Sequence, residues 1–327
     1  MKIGKLPEPA LIRSVLKQVN HRREEVLVGP AVGQDCAALS LEADEAVVLS
    51  SDPITGAAKD IGKIGIYVTT NDLAAAGAEP VGVLLTIMLP ESVRECKLKT
   101  LMQDAESVCK ELNIEILGGH TEITKVVNQP VLTVTGVGKI KKQDLITLKT
   151  IHCGDDLVVT KWIGLEATTI LAADHEEDLK ERFPDSLVNT ARSFEQYLSV
   201  IPESRIAMEH GVSAMHDITE GGIFGALWEM ASGANLGVDI DLKKIPIRQE
   251  TVEVCEYFHV NPYLIMSSGS MLIATKDGAG LVKKLEAAGI HGTVIGRTNN
   301  SNDRIIRNGE EVRHLDKPQS DELYKVV

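Results

Sequence analysis

Aromatic residues make up only 3% of this 327-residue chain, too few to build the stacking platforms that hold single-stranded nucleic acid. Positive charge is short as well. With 34 Lys and Arg against 47 Asp and Glu, the formal net charge is −13. No basic stripe offsets it, which argues against a phosphate-backbone partner. A short cationic cluster, His21 to Arg23, runs straight into Glu24 and Glu25 and reads as a solvated helix end. Five cysteines, at 36, 96, 109, 153 and 255, form no Cys-x-x-Cys pair. Such a dispersed set fits a reducing compartment rather than a disulfide frame or a zinc site. The longest apolar run, "VGVLLTIMLP", is too short to span a bilayer, and "MKIGKLPEPA" lacks the apolar core of a signal peptide. No nucleic acid, no membrane and a cytoplasmic location are therefore expected. A Gly-x-x-x-x-Gly-Lys-Ser/Thr loop is also missing, so the chain is not a P-loop enzyme.

What is there is an alternation of short β-branched runs and amphipathic stretches. "EAVVLSSD", "VGVLLTIMLP", "IEILGG" and "PVLTVTGVGKI" predict strands, and "RECKLKTLMQDAESVCKEL" predicts a helix. Around "KIKKQDLITLKTIHCGDD" the pattern turns polar, which divides the chain into expected domains 1–145 and 146–327. The second begins with a strand–helix unit in "LVVTKWIGLEATTILAA", followed by a helix over about 188–210. After it come the strand "VSAMHDI", the helix "GGIFGALWEMA", the strand "LGVDIDL", a helix near 248–259 and the strand "SMLIAT". A helix "GAGLVKKLEAAG", a strand "TVIGRT" and a hairpin turning at Asn308-Gly309 close the pattern. The expected fold class is α+β, with two domains.

Acids and histidines recur beside glycine at the ends of apolar runs: Asp35 after Gly33, Asp52 before Gly56, His120 after Gly118-Gly119, and His216-Asp217 before Gly221-Gly222. Each has a plain structural alternative: an Asx turn for Asp35 and Asp52, a strand-end turn for the glycines, a helix cap for Asp217. Asp72 is harder to explain in that way. At ~100° per residue, Ile61, Ile64, Val68 and Ala75 fall on one helix face with Asp72 near its centre. An unpaired carboxylate there would cost several kcal/mol, so a cation, a metal or backbone donors should meet it. Carboxylates on separate loops can converge on Mg²⁺, which then bridges the phosphates of a nucleotide. The helix opening at Gly221-Gly222 would offer free N–H groups to an anion. Lys59 and Lys63 lie close enough to Asp52 in sequence to neutralise a phosphoryl group or simply to be solvated, and the helix count places Lys63 opposite Asp72. The loop "HVNPYLIMSSGSM" is a candidate acceptor-shaping segment or an ordinary lead into a strand.

"VGQDCAAL", "SSDPITGAAKDIGKIGIYVTTNDLAAAGAEP", "ILGGHTEIT" and "MHDITEGGIFGALWEMA" together resemble the aminoimidazole ribonucleotide synthetase-like superfamily. That group includes selenophosphate synthetase, thiamine monophosphate kinase and the hydrogenase-maturation dehydratase. The chain looks most like the maturation branch but ends "SDELYKVV", without that branch's C-terminal cysteine. The resemblance implies an N-terminal domain whose sheet forms a barrel in a homodimer, and a C-terminal α/β-sandwich domain. It implies ATP and Mg²⁺ as cofactors. Asp35, Asp52 and Asp72 would be metal ligands. Asn71, Gly118, Gly119, His120, Thr121, Lys59 and Asp217 would surround the nucleotide. The implied activity is phosphorylation of an acceptor oxygen, small-molecule or protein-borne; the alternative is a nucleotide-binding regulatory or scaffold protein that kept the site without the acceptor chemistry.

Overall fold

The protein is described by a computed structural model over residues 4–5, 8–31, 36–54, 60–317 and 320–326. It divides into two compact units, Met1–Leu73 with Ala78–Asp144, and Ala74–Gly77 with Leu145–Val327. In the first unit the described elements are β1 (Gly4–Lys5), α1 (Glu8–Ser14), β2 (Val26–Val28), β3 (Ala38–Leu39), β4 (Glu45–Ile54), α2 (Ile61–Ala75), β5 (Glu79–Leu89), α3 (Glu95–Leu112), β6 (Glu115–Ile123) and β7 (Val131–Lys141). Five strands form a sheet in the order β1-β6-β5-β7-β4, and β2 with β3 makes a separate ribbon. Only β5 and β6 are parallel neighbours in that sheet, and α3 is the crossover that a parallel pair requires.

The apolar residues of α3 recur at helical spacing, and Leu98, Leu101, Met102, Ala105, Val108 and Cys109 are all buried. The helix stops at Asn113, whose left-handed backbone (φ 57°) returns its N–H to the carbonyls of Cys109 and Lys110. Helix α2 departs from the simple amphipathic picture. Ile61, Val68, Asp72 and Ala75 are only half-buried, whereas Ile66, Tyr67, Thr69, Thr70, Asn71 and Leu73 on its other sides are buried. The cause is that α2 is covered on several sides at once. Gly65 packs on Ile54, Leu132 and Val134 of the sheet, and Gly62 lies against the Leu101 carbonyl of α3. The strip carrying Asp72 is thus the most accessible side of the helix, not its most buried one.

Helix α2 covers one face of this sheet at its β4–β7 end. On the opposite face of β4, Val47 and Leu49 are 46% and 64% exposed, and Ser51 and Pro53 are exposed beside them, as is Thr86 of β5. The Ser51 and Thr135 hydroxyls meet there at 2.8 Å.

The second unit contains β8 (Asp156–Thr160), α4 (Leu165–Asp174), α5 (Glu176–Arg182), α6 (Asp185–Arg192), α7 (Ile201–His210), β9 (Ala214–Asp217), α8 (Gly222–Ala234), β10 (Gly237–Asp241), α9 (Gln249–Tyr257), β11 (Met271–Thr275), α10 (Gly278–Ala287), β12 (Gly292–Asn299), β13 (Arg304–Asn308) and β14 (Glu311–His314). Its seven strands lie in the order β14-β13-β10-β12-β8-β11-β9. Leu157 and Val159 of β8 and Leu272 and Ala274 of β11 join Ile223, Leu227 and Met230 of α8 in one core. The alternate residues Val158 and Ile273 are fully buried too, because α10 packs on the other face, against Asp156 and Val294. A helix expected over about 188–210 is in fact α6, a 3-10 turn Ser193–Tyr197 and α7. Pro202, which has no N–H to donate, is tolerated only because it lies in the first turn of a new helix.

Candidate functional site

Ser50 and Asp52 are two apart on β4 and so share a face of the sheet, the face that α2 crosses. The Ser50 hydroxyl donates to Asp72 Oδ2 on α2 and lies 3.4 Å from Asp52 Oδ2. One hydroxyl therefore ties together two half-buried carboxylates that are twenty residues apart in sequence. Asn71, beside Asp72, is fully buried. The donors are all hard oxygens, the type that suits Mg²⁺. Among the described residues no group of three or more His, Cys, Asp or Glu could hold a metal ion. The Asp52–Asp72 pair fits an ion that keeps most of its coordination for waters and phosphate, as Mg²⁺ commonly does.

Gly118, Gly119, His120 and Thr121 come together elsewhere in the same unit. They line a cavity of about 270 Å³ with Leu11 and Val15, Leu85 and Ile87 of β5, and Met102 of α3. Strand β6 does not end at the two glycines, as the sequence suggested, but continues through them to Ile123. Gly119 is required for a structural reason. Its φ is +139°, and a Cβ there would sit 1.9 Å from the Leu85 carbonyl oxygen. The His120 ring is half-exposed and lies 3.4 Å from the Glu122 carboxylate. Gly119, Leu85, Val134 and Asp52 occupy one row across four strands. That spaces the cavity from the carboxylate pair by roughly 14 Å along the sheet. Asp35 and Lys59 lie outside the described residues; Lys63 is half-buried on α2.

Asp217 belongs to the second unit, buried at the end of β9. Its neighbour His216 binds Glu229 at 2.9 Å. Burial opposes the charged ring, but Glu229 and Asp217 outweigh it and raise the His216 pKa. Around the β9–α8 turn lie two further buried acids, Glu166 in the first turn of α4 and Asp321. Burial pushes both carboxyls above the usual range. Ser268 interactions pull Glu166 back down, and the backbone N–H groups of Leu323, Gly221 and Met266 do the same for Asp321. The N–H groups at Gly221-Gly222 are not open to an external anion. Gly221 N–H donates to Asp321 Oδ2 at 2.7 Å, Gly222 N–H to Thr219 O and Phe224 N–H to Tyr263 O. Gly222, at φ +60°, has no room for a Cβ beside the Tyr263 carbonyl.

Sequence reasoning missed three of these residues. Ser50 stands two before Asp52 in "LSSD", so strand periodicity alone could have found it. Glu166 is the one acid in the apolar run "GLEATTILAA". Asp321 carries no signal beyond the ordinary one of a helix cap.

Residues 33–140 match the N-terminal domain of AIR synthase related proteins, and residues 153–307 match the C-terminal domain of the same family. The chain is 28% identical over 249 residues to a carbamoyl dehydratase, HypE, of Rhodobacter capsulatus, covering 76% of this chain and 70% of that protein. It is 28% identical over 269 residues to a selenide, water dikinase of Methanocaldococcus jannaschii, covering 76% and 73%. In fold it is similar to the hydrogenase maturation protein HypE crystallised with ATP. The TM-score is 0.78 at 18% identity, over 96% of this chain and 95% of that one. With both domains of one family matched in order along its length, the protein belongs to the AIR synthase related family.

Proposed function

We propose that this protein is an ATP- and Mg²⁺-dependent enzyme that transfers the γ-phosphoryl group of ATP to an oxygen of a carbamoyl, amide-type or other small acceptor. The observation that carries the reading is the junction of Asp52 and Asp72 through Ser50. A dehydratase and a dikinase among its relatives, and a similar fold crystallised with ATP, support the same chemistry. Phosphorylation turns a poor leaving oxygen into a good one, the step that a dehydration needs, and a dikinase transfers phosphoryl groups by name.

Bound Mg²⁺ would supply charge neutralisation for the transferring phosphoryl group. Asp52 and Asp72 would hold it, with Asp35 as a third ligand. Ser50 orients the two carboxylates so that their oxygens converge. Asn71, fully buried beside Asp72, would support the nucleotide site. Gly118 to Thr121, with Lys59, would bind the nucleotide. The acceptor oxygen attacks the γ-phosphorus, the bond to the bridging oxygen breaks, and ADP leaves with the electron pair.

Residues 1–145 would form the ATP-binding and dimerisation domain and 146–327 the C-terminal domain. The uncovered face of β4, with Val47 and Leu49 at its surface, supports a homodimer in which two such sheets face each other as a barrel. A cytoplasmic location accords with the absence, among the described residues, of any helix long and apolar enough to cross a membrane.

One observation favours a second reading, a nucleotide-binding regulatory or scaffold protein. Cys255, the last cysteine in the sequence, is buried, and burial pushes its thiol up to about 12, which disfavours the thiolate that would carry a substrate group. Turnover separates the two. The enzyme reading expects Mg²⁺-dependent ADP release, stimulated by a carbamoyl, amide or carboxylate compound and abolished by Asp52→Asn. ATP binding without ADP release under every acceptor would establish the scaffold reading instead.

A further inference from the structure

A second cavity, of about 450 Å³, lies wholly within the second unit, and the nucleotide reading makes no use of it. We propose that it is a binding site for a small organic oxyanion, a carboxylate or phosphate monoester on an apolar body, seated on Arg313 above Phe224.

The floor of the cavity is apolar. The Phe224 ring of α8 stacks on Tyr263 at 5.2 Å and 13°, and Leu264, Ile306 of β13 and Leu315 continue the surface. Ile306 and Leu315 are buried and belong to the core that α8 shares with the sheet, so the floor is fixed by packing. The volume falls within the range of small-molecule pockets, roughly 300–1,000 Å³, which combine an apolar lining with a few placed polar groups.

The polar group best placed for a ligand is Arg313 of β14. Its guanidinium stands 5.8 Å from the centre of the Phe224 ring, a cation–π contact that holds it over the floor. Among the described residues, no ion pair and no side-chain hydrogen bond engages this guanidinium. Arginine is the side chain whose planar fork meets a carboxylate or phosphate with two parallel N–H···O bonds. Lys317 lines the same space as a second cation.

The acids at the cavity are otherwise engaged. Asp321 is buried, and its Oδ2 and Oδ1 accept from the Gly221 and Leu323 N–H groups at 2.7 and 2.8 Å. Glu322 pairs with Lys325 at 2.6 Å and accepts from Asn261 N–H at 3.4 Å. That leaves Asp316, which is exposed, as is His314, against Arg313 and Lys317. The cavity thus keeps a cationic surplus in a chain whose formal net charge is −13. A bare inorganic ion would leave the floor unused, and a neutral apolar molecule would leave the Arg313 fork without an acceptor. An oxyanion on an apolar body satisfies both.

Fluorine NMR titration of the full chain tests this, with EDTA present so that no divalent ion can recruit phosphate to Asp52 and Asp72. The probes are para-fluorobenzoate, para-fluorophenyl phosphate and para-fluorobenzyl alcohol, with inorganic phosphate as competitor. At least one of the two organic anions should bind with a millimolar or tighter Kd, and the tighter one identifies the headgroup. The alcohol and inorganic phosphate should each bind at least fivefold more weakly. Arg313→Gln, at an exposed position, should weaken the organic anion at least fivefold, and Arg313→Lys should weaken it less. The bound anion should also protect Arg313 from phenylglyoxal, read by mass spectrometry, while the exposed Arg205 of α7 reacts as before. Failure of both organic anions to bind at millimolar concentration would overturn the proposal. So would binding unmoved by Arg313→Gln, or an alcohol or inorganic phosphate that binds as tightly.

Discussion

Asp72 shows how far a single residue can be read. Its position on a helix with few other charges made it a candidate from sequence, and the structure joins it to Asp52 through Ser50. The reason given by the sequence was nonetheless incomplete. Asp72 lies on the more accessible strip of α2, so its desolvation is smaller than a fully buried face would impose. Gly119 illustrates the opposite case. It reads as a glycine that lets a phosphate approach, yet its immediate constraint is the Leu85 carbonyl of the neighbouring strand. Gly119→Ala should therefore lower stability by about 1–3 kcal/mol or more through overpacking, measured as a shift in the urea midpoint. A midpoint unchanged within error would show that β5 and β6 can part at no cost. Ser50 and Asp321 escaped notice because their importance arises from contacts across 22 and 100 residues, and a single sequence records no such pairing.

At the level of elements, most strands and the long helices were legible because their apolar periods are regular and their ends carry turn residues. The short helices α1 and α5 were not, since seven residues give barely two turns of pattern. The break before α7 was marked by Pro202 and was still read as continuous, which is a misjudged breaker rather than a missing signal. The contact that fixes this junction is equally invisible in sequence. Lys161, at the end of β8 with a left-handed backbone (φ 52°), is buried, and its ammonium donates to Tyr197 O at 2.7 Å and Ser199 O at 2.6 Å. It also pairs with Glu203 of α7 at 2.5 Å. Burial lowers its pKa, and Glu203 opposes that shift. Removing one partner strands a buried charge. Glu203→Ala should cost about 3–5 kcal/mol, and adding Lys161→Met should recover part of the loss in the same denaturant titration. A double variant no better than the single one would mean that the pair does not act as a unit.

For the whole molecule, the division into two units accompanies two separate groups of candidate residues, the Asp52–Asp72 pair with the Gly118–Thr121 cavity in one, and Asp217 with its acidic neighbours in the other. Composition and charge argue against nucleic acid as a partner, but neither could tell which sheet face would be left bare. That face leads to a testable assembly. Leu49→Arg, at a 64% exposed position, should convert a dimer to a monomer in sedimentation velocity without lowering the thermal midpoint. A monomeric wild type, or a variant that stays dimeric, would remove the shared barrel.

The most direct measurement is calorimetric titration of ATP into the protein with and without Mg²⁺, repeated on Asp72→Asn. The account predicts binding that requires the metal and is lost, by at least tenfold in affinity, on the substitution. Binding indifferent to both would contradict it, because the carboxylates joined by Ser50 would then have no part in holding the nucleotide.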